Sequence, residues 1–347
     1  MKRALVFCLA LSLCFIALDL RPEKRPLAKK VDHIFITSAQ AREPAHPLLG
    51  PGQGTGQGVD HVGIAVRDFK KTKDDYEQVL GFKVKENPPQ PNGWLQSVIW
   101  FENATYLEFQ PIAALPWIAK MFDYTDGYAD FAEKYEGAVF LGLATSSAKG
   151  AADHLKTRNF QAYLVVDDPF NYVHISHEPS GEEQAFPLAV FFIEYFFDPG
   201  RPARLAARLE QGMMTHPNTA RRLHSVWFAI NNLEASLQRL QDAGLEPGQA
   251  REMKFLGATG REVQAGNGYL LLLQSADKNG LLANFLLDHH DGEIIGISIE
   301  VSDLNKARSW VESHSRHKLE PYDGFYGRSI MIPPDLTHGV WMELFQR

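Results

Sequence analysis

One histidine and two glutamates stand inside apolar strand-like stretches: His61 in Asp60-His61-Val62-Gly63-Ile64, Glu108 between Leu107 and Phe109, and Glu194 between Ile193 and Tyr195. A carboxylate left unpaired in such surroundings is costly, so each glutamate requires a cation, a hydrogen-bonding partner or water. An imidazole and two carboxylates with open positions suit a borderline or hard divalent ion: Zn²⁺, Mn²⁺, Fe²⁺, Ni²⁺ or Co²⁺. Such an ion polarises a substrate carbonyl or hydroxyl pair and stabilises a developing enolate. The plainer alternatives are a core histidine bonded to a neighbouring strand at position 61, and Arg201 or Arg204 as the partner of Glu194. Both cysteines, Cys8 and Cys14, lie near the amino terminus. A chain shortened past that point has none, which excludes disulfides, Cys-ligated zinc and a Cys nucleophile.

The elements that must position these residues repeat one plan. Val62, Ile64 and Val66 alternate with His61, Gly63 and Ala65, a period of two that predicts a strand. One face carries bulk for packing; the other, with its small residues, leaves open space around His61. Asp68 caps a following helix that carries Phe69, Tyr76, Val79 and Leu80 and stops at Gly81. Two strands follow, over 97–101 and 105–110, closing a βαβββ unit. The plan returns from Ala138 with Ser147 as cap and a late strand over 188–196. It returns from Val226 with Asn232 as cap, Gly244 as stop and a hairpin at Gly266-Asn267-Gly268, and from Ile294 with Asp303 as cap and a last strand over 340–345. Repetition on this scale predicts an α+β protein whose four βαβββ modules pair into two domains. The boundaries fall at 1–20 for an amino-terminal segment, 21–57 for a Pro- and Gly-rich flexible linker, 58–212 for the first domain and 213–347 for the second. Within the linker, Val31-Asp32-His33-Ile34-Phe35-Ile36 nearly copies Val59 to Ile64 without leading into a helix.

The run Asp60 to Asp68, then Gly81-Phe82, then Thr105-Tyr106-Leu107-Glu108, resembles the first module of the vicinal-oxygen-chelate superfamily in its glyoxalase-like branch. Pro187 to Tyr195 and His216-Pro217-Asn218-Thr219-Ala220 are similar to two later landmarks of that branch. The resemblance implies paired modules closing around a divalent metal, with ligand positions on the first and last strands of each module. Matched residue by residue, it assigns His61, Glu108 and Glu194 to the metal, leaves an apolar residue near 139–140 in the fourth place, and makes Glu194 the carboxylate that leaves the ion to move a proton. The aromatic Trp94 and Tyr106 read as substrate contacts or as strand core, and the recurrence of His216 and Asn218 in that branch implies a substrate pocket or a hinge, against an ordinary interdomain turn. The superfamily holds isomerases, epimerases, extradiol dioxygenases, thiol transferases and metal-free binding proteins, so fold alone does not choose a reaction.

Charge and composition narrow the partners. The net charge is −7 with basic residues scattered, which is no footprint for a nucleic-acid backbone. Met1-Lys2-Arg3 followed by an apolar run to Leu18 reads as an export signal or a membrane tether through residues 1–20, and so as a periplasmic or secreted protein, monomeric or homodimeric. A second metal position in the carboxy-terminal half, from His224 or Ser225, Gln274, Gly296 and Glu343, is the weaker site, because His224 falls one residue out of register. His289-His290-Asp291 reads as an exposed loop. The expectation is a metal-dependent lyase, isomerase or dioxygenase acting on a small oxygenated molecule; its rival is a metal-free protein that sequesters an apolar ligand.

Overall fold

The computed structural model describes residues 46–52, 57–89, 95–114, 134–166, 170–175 and 190–347. The repeated plan becomes two eight-stranded sheets of identical connectivity. The first contains β1 (Gly58–Val66), β2 (Lys85–Glu86), β3 (Ser97–Trp100), β4 (Tyr106–Pro111), β5 (Gly137–Ala144), β6 (Ala162–Val166), β7 (Phe170–Ile175) and β8 (Val190–Tyr195), in the order β2-β3-β4-β1-β5-β8-β7-β6. The second contains β9 (Ala220–Ala229), β10 (Pro247–Met253), β11 (Ala258–Ala265), β12 (Gly268–Ser275), β13 (Ile294–Val301), β14 (Tyr322–Asp323), β15 (Arg328–Ile332) and β16 (Trp341–Gln346), in the order β10-β11-β12-β9-β13-β16-β15-β14. In each sheet the first and last strands of a module run parallel, and the two modules meet antiparallel, β1 on β5 and β9 on β13. This is the α+β architecture of paired βαβββ modules.

The helices begin where the sequence places their caps. Side chains of Asp68, Ser147, Asn232 and Asp303 accept from the backbone N–H three residues on, opening α1 (Phe69–Asp74), α2 (Ala148–Lys156), α4 (Leu233–Ala243) and α6 (Leu304–His314). The first passes into a π-helical turn over Asp75–Val79, and Gly244, at φ 96°, ends α4. Two further helices, α3 (Arg201–Glu210) and α5 (Leu281–Asp288), lie between modules. Strand β9 begins six residues before the expected Val226, because its polar start, Ala220-Arg221-Arg222, pairs with the end of β13.

Val62, Ile64 and Val66 are buried with Tyr76, Leu80 and Leu155 of their own half and with Val226, Phe228, Ile297 and Val311 of the other, in one apolar cluster. The helix-facing sides of both sheets therefore share a core. The opposite side of each sheet, the hollow of its curl, holds buried side chains of its own, among them Trp100, Tyr106 and Met214 in the first and Trp227, Leu271 and Ile295 in the second. Residues 1–20, the near-copy Val31 to Ile36 and Trp94 lie outside the described residues.

Candidate functional site

The first hollow is built on a row of residues in register across four strands. His61 lies opposite Tyr106 on β4 and Gly142 on β5, and Gly142 lies opposite Phe191 on β8. The register slips between Val59 and His61, a bulge that turns the adjacent Asp60 toward the same ring. His61 Nδ1–H donates to Asp60 Oδ1 at 2.7 Å, and the Tyr195 hydroxyl donates to that oxygen at 2.7 Å. A carboxylate on Nδ1 fixes the tautomer and leaves Nε2 as the lone-pair nitrogen. That Nε2 is buried and has no partner. The ring is held flat on Tyr106, with centroids 4.5 Å apart at an interplanar angle of 5°, and edge-on to Phe140 and Phe191.

Glu108, two residues along β4, is fully buried and opens into the same hollow. Gln110 donates through Nε2 to its Oε1, while Glu108 Oε2 and Gln110 Oε1 have no partner. Burial pushes the Glu108 carboxyl above its ordinary range; His61 and the amides of Gln96 and Gln110 pull it back in part. Orphaned buried polar atoms are uncommon in native proteins. Here His61 Nε2, Glu108 Oε2 and Gln110 Oε1 belong to neighbouring positions of one strand pair.

Glu194 does not join them. Along β8, Phe191, Ile193 and Tyr195 face the hollow, so Glu194 faces the helices, where its Oε2 accepts from Ala148 N–H at 2.9 Å at the start of α2. Acidic groups are favourable at a helix start, which explains a half-buried glutamate there without metal or arginine. Arg204 pairs with Asp198, and Arg201 lies over the Tyr195 ring. Tyr195 occupies the place expected of Glu194, and the one-residue offset in a period of two puts the carboxylate on the wrong side. Among the described residues, no three His, Cys, Asp or Glu side chains form a metal-binding group.

The space expected beside Gly63 is filled, since a Cβ there would overlap the Phe140 ring. Gly142 is the glycine on which the site depends: its Cβ would stand 2.5 Å from His61 Cε1. Gly142→Ala should push the imidazole away from Asp60 and cost about 1 kcal/mol or more by overpacking. Proton NMR checks this, with loss of the downfield Nδ1–H line of His61 as the expected result.

His216 and Asn218 spend their hydrogen bonds tying the two halves together. His216 Nδ1 accepts from Lys83 N–H and its Nε2–H donates to the Trp100 carbonyl, and burial lowers its pKa to about 4. Asn218 donates to the Leu80 carbonyl and accepts from Ala220 N–H. In the second sheet, Gln274 turns away to donate to the Asn231 carbonyl, and the Trp227 ring fills the space left by Gly296. Ser225 takes the place corresponding to His61, because it lies opposite Tyr269 and Ser298 as His61 lies opposite Tyr106 and Gly142. The run His289-His290-Asp291 is a loop after α5 with His290 exposed, while His289 is half-buried, stacked on Phe285 with its Nδ1–H on Glu293.

A glyoxalase-like domain family matches residues 59–244. No curated protein matches the chain. Among solved structures, a hypothetical protein from Staphylococcus aureus shares 10% identity over 83% of this chain and 98% of its own, with a TM-score of 0.53. Methylmalonyl-CoA epimerase from Mycobacterium tuberculosis shares 21% identity over 37% of this chain and 89% of its own, with a TM-score of 0.34. The Streptomyces coelicolor methylmalonyl-CoA epimerase in complex with 2-nitronate-propionyl-CoA shares 20% over 36% of this chain and 93% of its own, with a TM-score of 0.33. At 10% identity the likeness to the Staphylococcus aureus protein is one of fold.

Proposed function

The chain belongs to the glyoxalase-like domain family, of the vicinal-oxygen-chelate type, and on that premise we propose an enzyme that moves a proton on a small oxygenated organic molecule bound over His61 and Glu108. The observation that carries this reading is the buried, partnerless Nε2 of an imidazole whose other nitrogen is anchored to Asp60, opening on the same hollow as the partnerless Oε2 of Glu108. His61 takes the proton from a carbon next to a carbonyl. Glu108, which burial favours in its neutral form, donates a hydrogen bond to the oxygen on which the electron pair collects. Tyr195 and Asp60 hold the imidazole as it becomes positive.

The same donors fit a divalent ion in part. His61 Nε2, Glu108 Oε2 and Gln110 Oε1 offer one nitrogen and two oxygens, a set suited to Zn²⁺, Mn²⁺, Fe²⁺, Ni²⁺ or Co²⁺. When bound, the ion would polarise the substrate's oxygen. The amino-terminal segment supports placing the enzyme outside the cytoplasm; among the described residues no helix is long and apolar enough to cross a membrane.

Two readouts test the proposal on the full chain. Wash-out of C–H protons into D₂O from a panel of 2-hydroxy and 2-oxo carbonyl compounds should be seen with the parent and lost in His61→Asn. Metal analysis should find an ion that Glu108→Gln releases. Exchange without an ion leaves the acid–base pair standing alone. No exchange on any compound and no ion would leave the rival, a binder of apolar molecules, which the aromatic lining of Trp100, Tyr106, Phe140 and Phe191 favours.

A further inference from the structure

The second hollow carries a different chemistry. Its row across β12, β9, β13 and β16 reads Tyr269, Ser225, Ser298, Glu343, where the first hollow has Tyr106, His61, Gly142, Phe191. Glu343 is buried, yet every need is met: Ser298 donates to Oε2 at 2.8 Å and the Tyr322 hydroxyl to Oε1 at 2.9 Å. Ser225 donates to Ser298 at 2.9 Å, and the Trp227 indole N–H points at both hydroxyls. A Cβ on Gly324 would stand 2.5 Å from Glu343 Oε1, so the backbone closes over that end of the row. The carboxylate has no call for an ion.

Unmet groups lie instead beside the row, on β10, β11 and the turn between β14 and β15. Arg251 donates from Nη2 to Glu262 Oε2 at 2.7 Å, and its guanidinium lies 5.5 Å from the Phe325 centroid and 6.0 Å from that of Tyr326. Arg251 Nε, Glu262 Oε1 and the Tyr326 hydroxyl are buried and make no well-aligned hydrogen bond, the hydroxyl lying beside Ser225 and the Glu262 carboxylate. Glu262 is only 4% exposed. Three elements thus contribute one donor, one acceptor and one hydroxyl able to do either, an arrangement that water or a ligand must complete.

Charge and shape narrow the ligand. Arg251 and Glu262 cancel, so neither an anion nor a cation finds an unopposed countercharge. Phe325, Tyr326 and Tyr322 offer ring faces and edges for C–H groups. We infer that the hollow of the second sheet binds a small uncharged molecule bearing several hydroxyl groups, gripped by Arg251 Nε, Glu262 Oε1 and the Tyr326 hydroxyl. This site is independent of His61 and Glu108.

Saturation-transfer NMR on the full chain, with glycerol, D-ribose and D-glucose as probes and acetate as the charged control, tests it. Transfer to at least one polyol and not to acetate is expected. Tyr326→Phe and Glu262→Gln should each weaken that binding about tenfold, the loss of one hydrogen bond. Tyr326→Phe keeps the ring and so separates the hydroxyl's contribution from packing. Transfer to none of the polyols would mean that water alone completes the site. Equal binding by the variants would likewise overturn the assignment.

Discussion

Glu108→Gln should make the metal-stripped protein more stable than the parent at pH 8, by about 2–4 kcal/mol, the cost of keeping a buried carboxylate charged and half-satisfied. The substitution keeps the acceptor that Gln110 uses and replaces the partnerless Oε2 with a neutral group. The pH dependence identifies the cause. Glu108 has a folded pKa above its ordinary value of 4.5. Below that ordinary value both folded and unfolded chains hold the proton, and the two proteins should be equally stable. As pH rises, the unfolded carboxyl ionises first, so the unfolded state binds fewer protons and the parent loses stability by up to about 1.4 kcal/mol per pH unit until the folded value is reached. Glu343 is raised by burial too, but it is present in both proteins and cancels in the difference. Urea titrations from pH 4 to pH 8 measure the gap; a constant gap would show that Glu108 ionises normally. Adding Mn²⁺ or Zn²⁺ should then raise the stability of the parent and not of the variant, since an ion bound only to the folded state stabilises it by mass action. A parent indifferent to both ions would retain the buried acid and lose the ion.

The four modules were legible because their punctuation is local. A capping side chain needs only the backbone of its own first turn, so Asp68, Ser147, Asn232 and Asp303 could be placed without any tertiary knowledge, and each caps as expected. Strands β10 and β14 were hidden for the opposite reason: they sit at sheet edges and carry polar residues, so no alternation betrays them.

The site was legible only by halves. His61 and Glu108 sit on strands whose register the alternation fixes, and they do open on one hollow. Glu194 was misplaced by one residue because the run Val190 to Tyr195 is apolar on both faces, which leaves parity undetermined by pattern. Tyr195 and Gln110 were missed as members of the site, although each stands two residues from a residue facing the hollow. Asp60 was beyond pattern altogether, because only a bulge brings neighbouring residues of a strand together. His216 and Asn218 were singled out correctly as unusual, but what makes them so is that they tie one half to the other.

The strongest such tie predicts the largest loss. His338, in the second half, lies with Nε2 at 2.9 Å from Asp75 Oδ2 and Nδ1 at 3.1 Å from Glu136 Oε2, both carboxylates belonging to the first half. Its hydrogen bond holds the Glu136 carboxyl below its ordinary range. The residue has a φ of 55°, a conformation that asparagine tolerates and that leucine or valine would resist. His338→Asn therefore withdraws the ring from both carboxylates without adding backbone strain. The parent should exceed it by about 2–3 kcal/mol near pH 6, less than for a fully buried pair because both carboxylates keep some exposure. A depressed carboxylate contributes stability above its ordinary pKa and loses it as pH falls through the folded value. The deficit of His338→Asn should accordingly shrink on acidification below the carboxylate range. The two halves share one core, so the parent should unfold in a single step, and the variant at the same pH should do so at lower denaturant. A deficit that persists unchanged at pH 3 would assign the loss to packing, with no role for the bond to the Glu136 carboxylate.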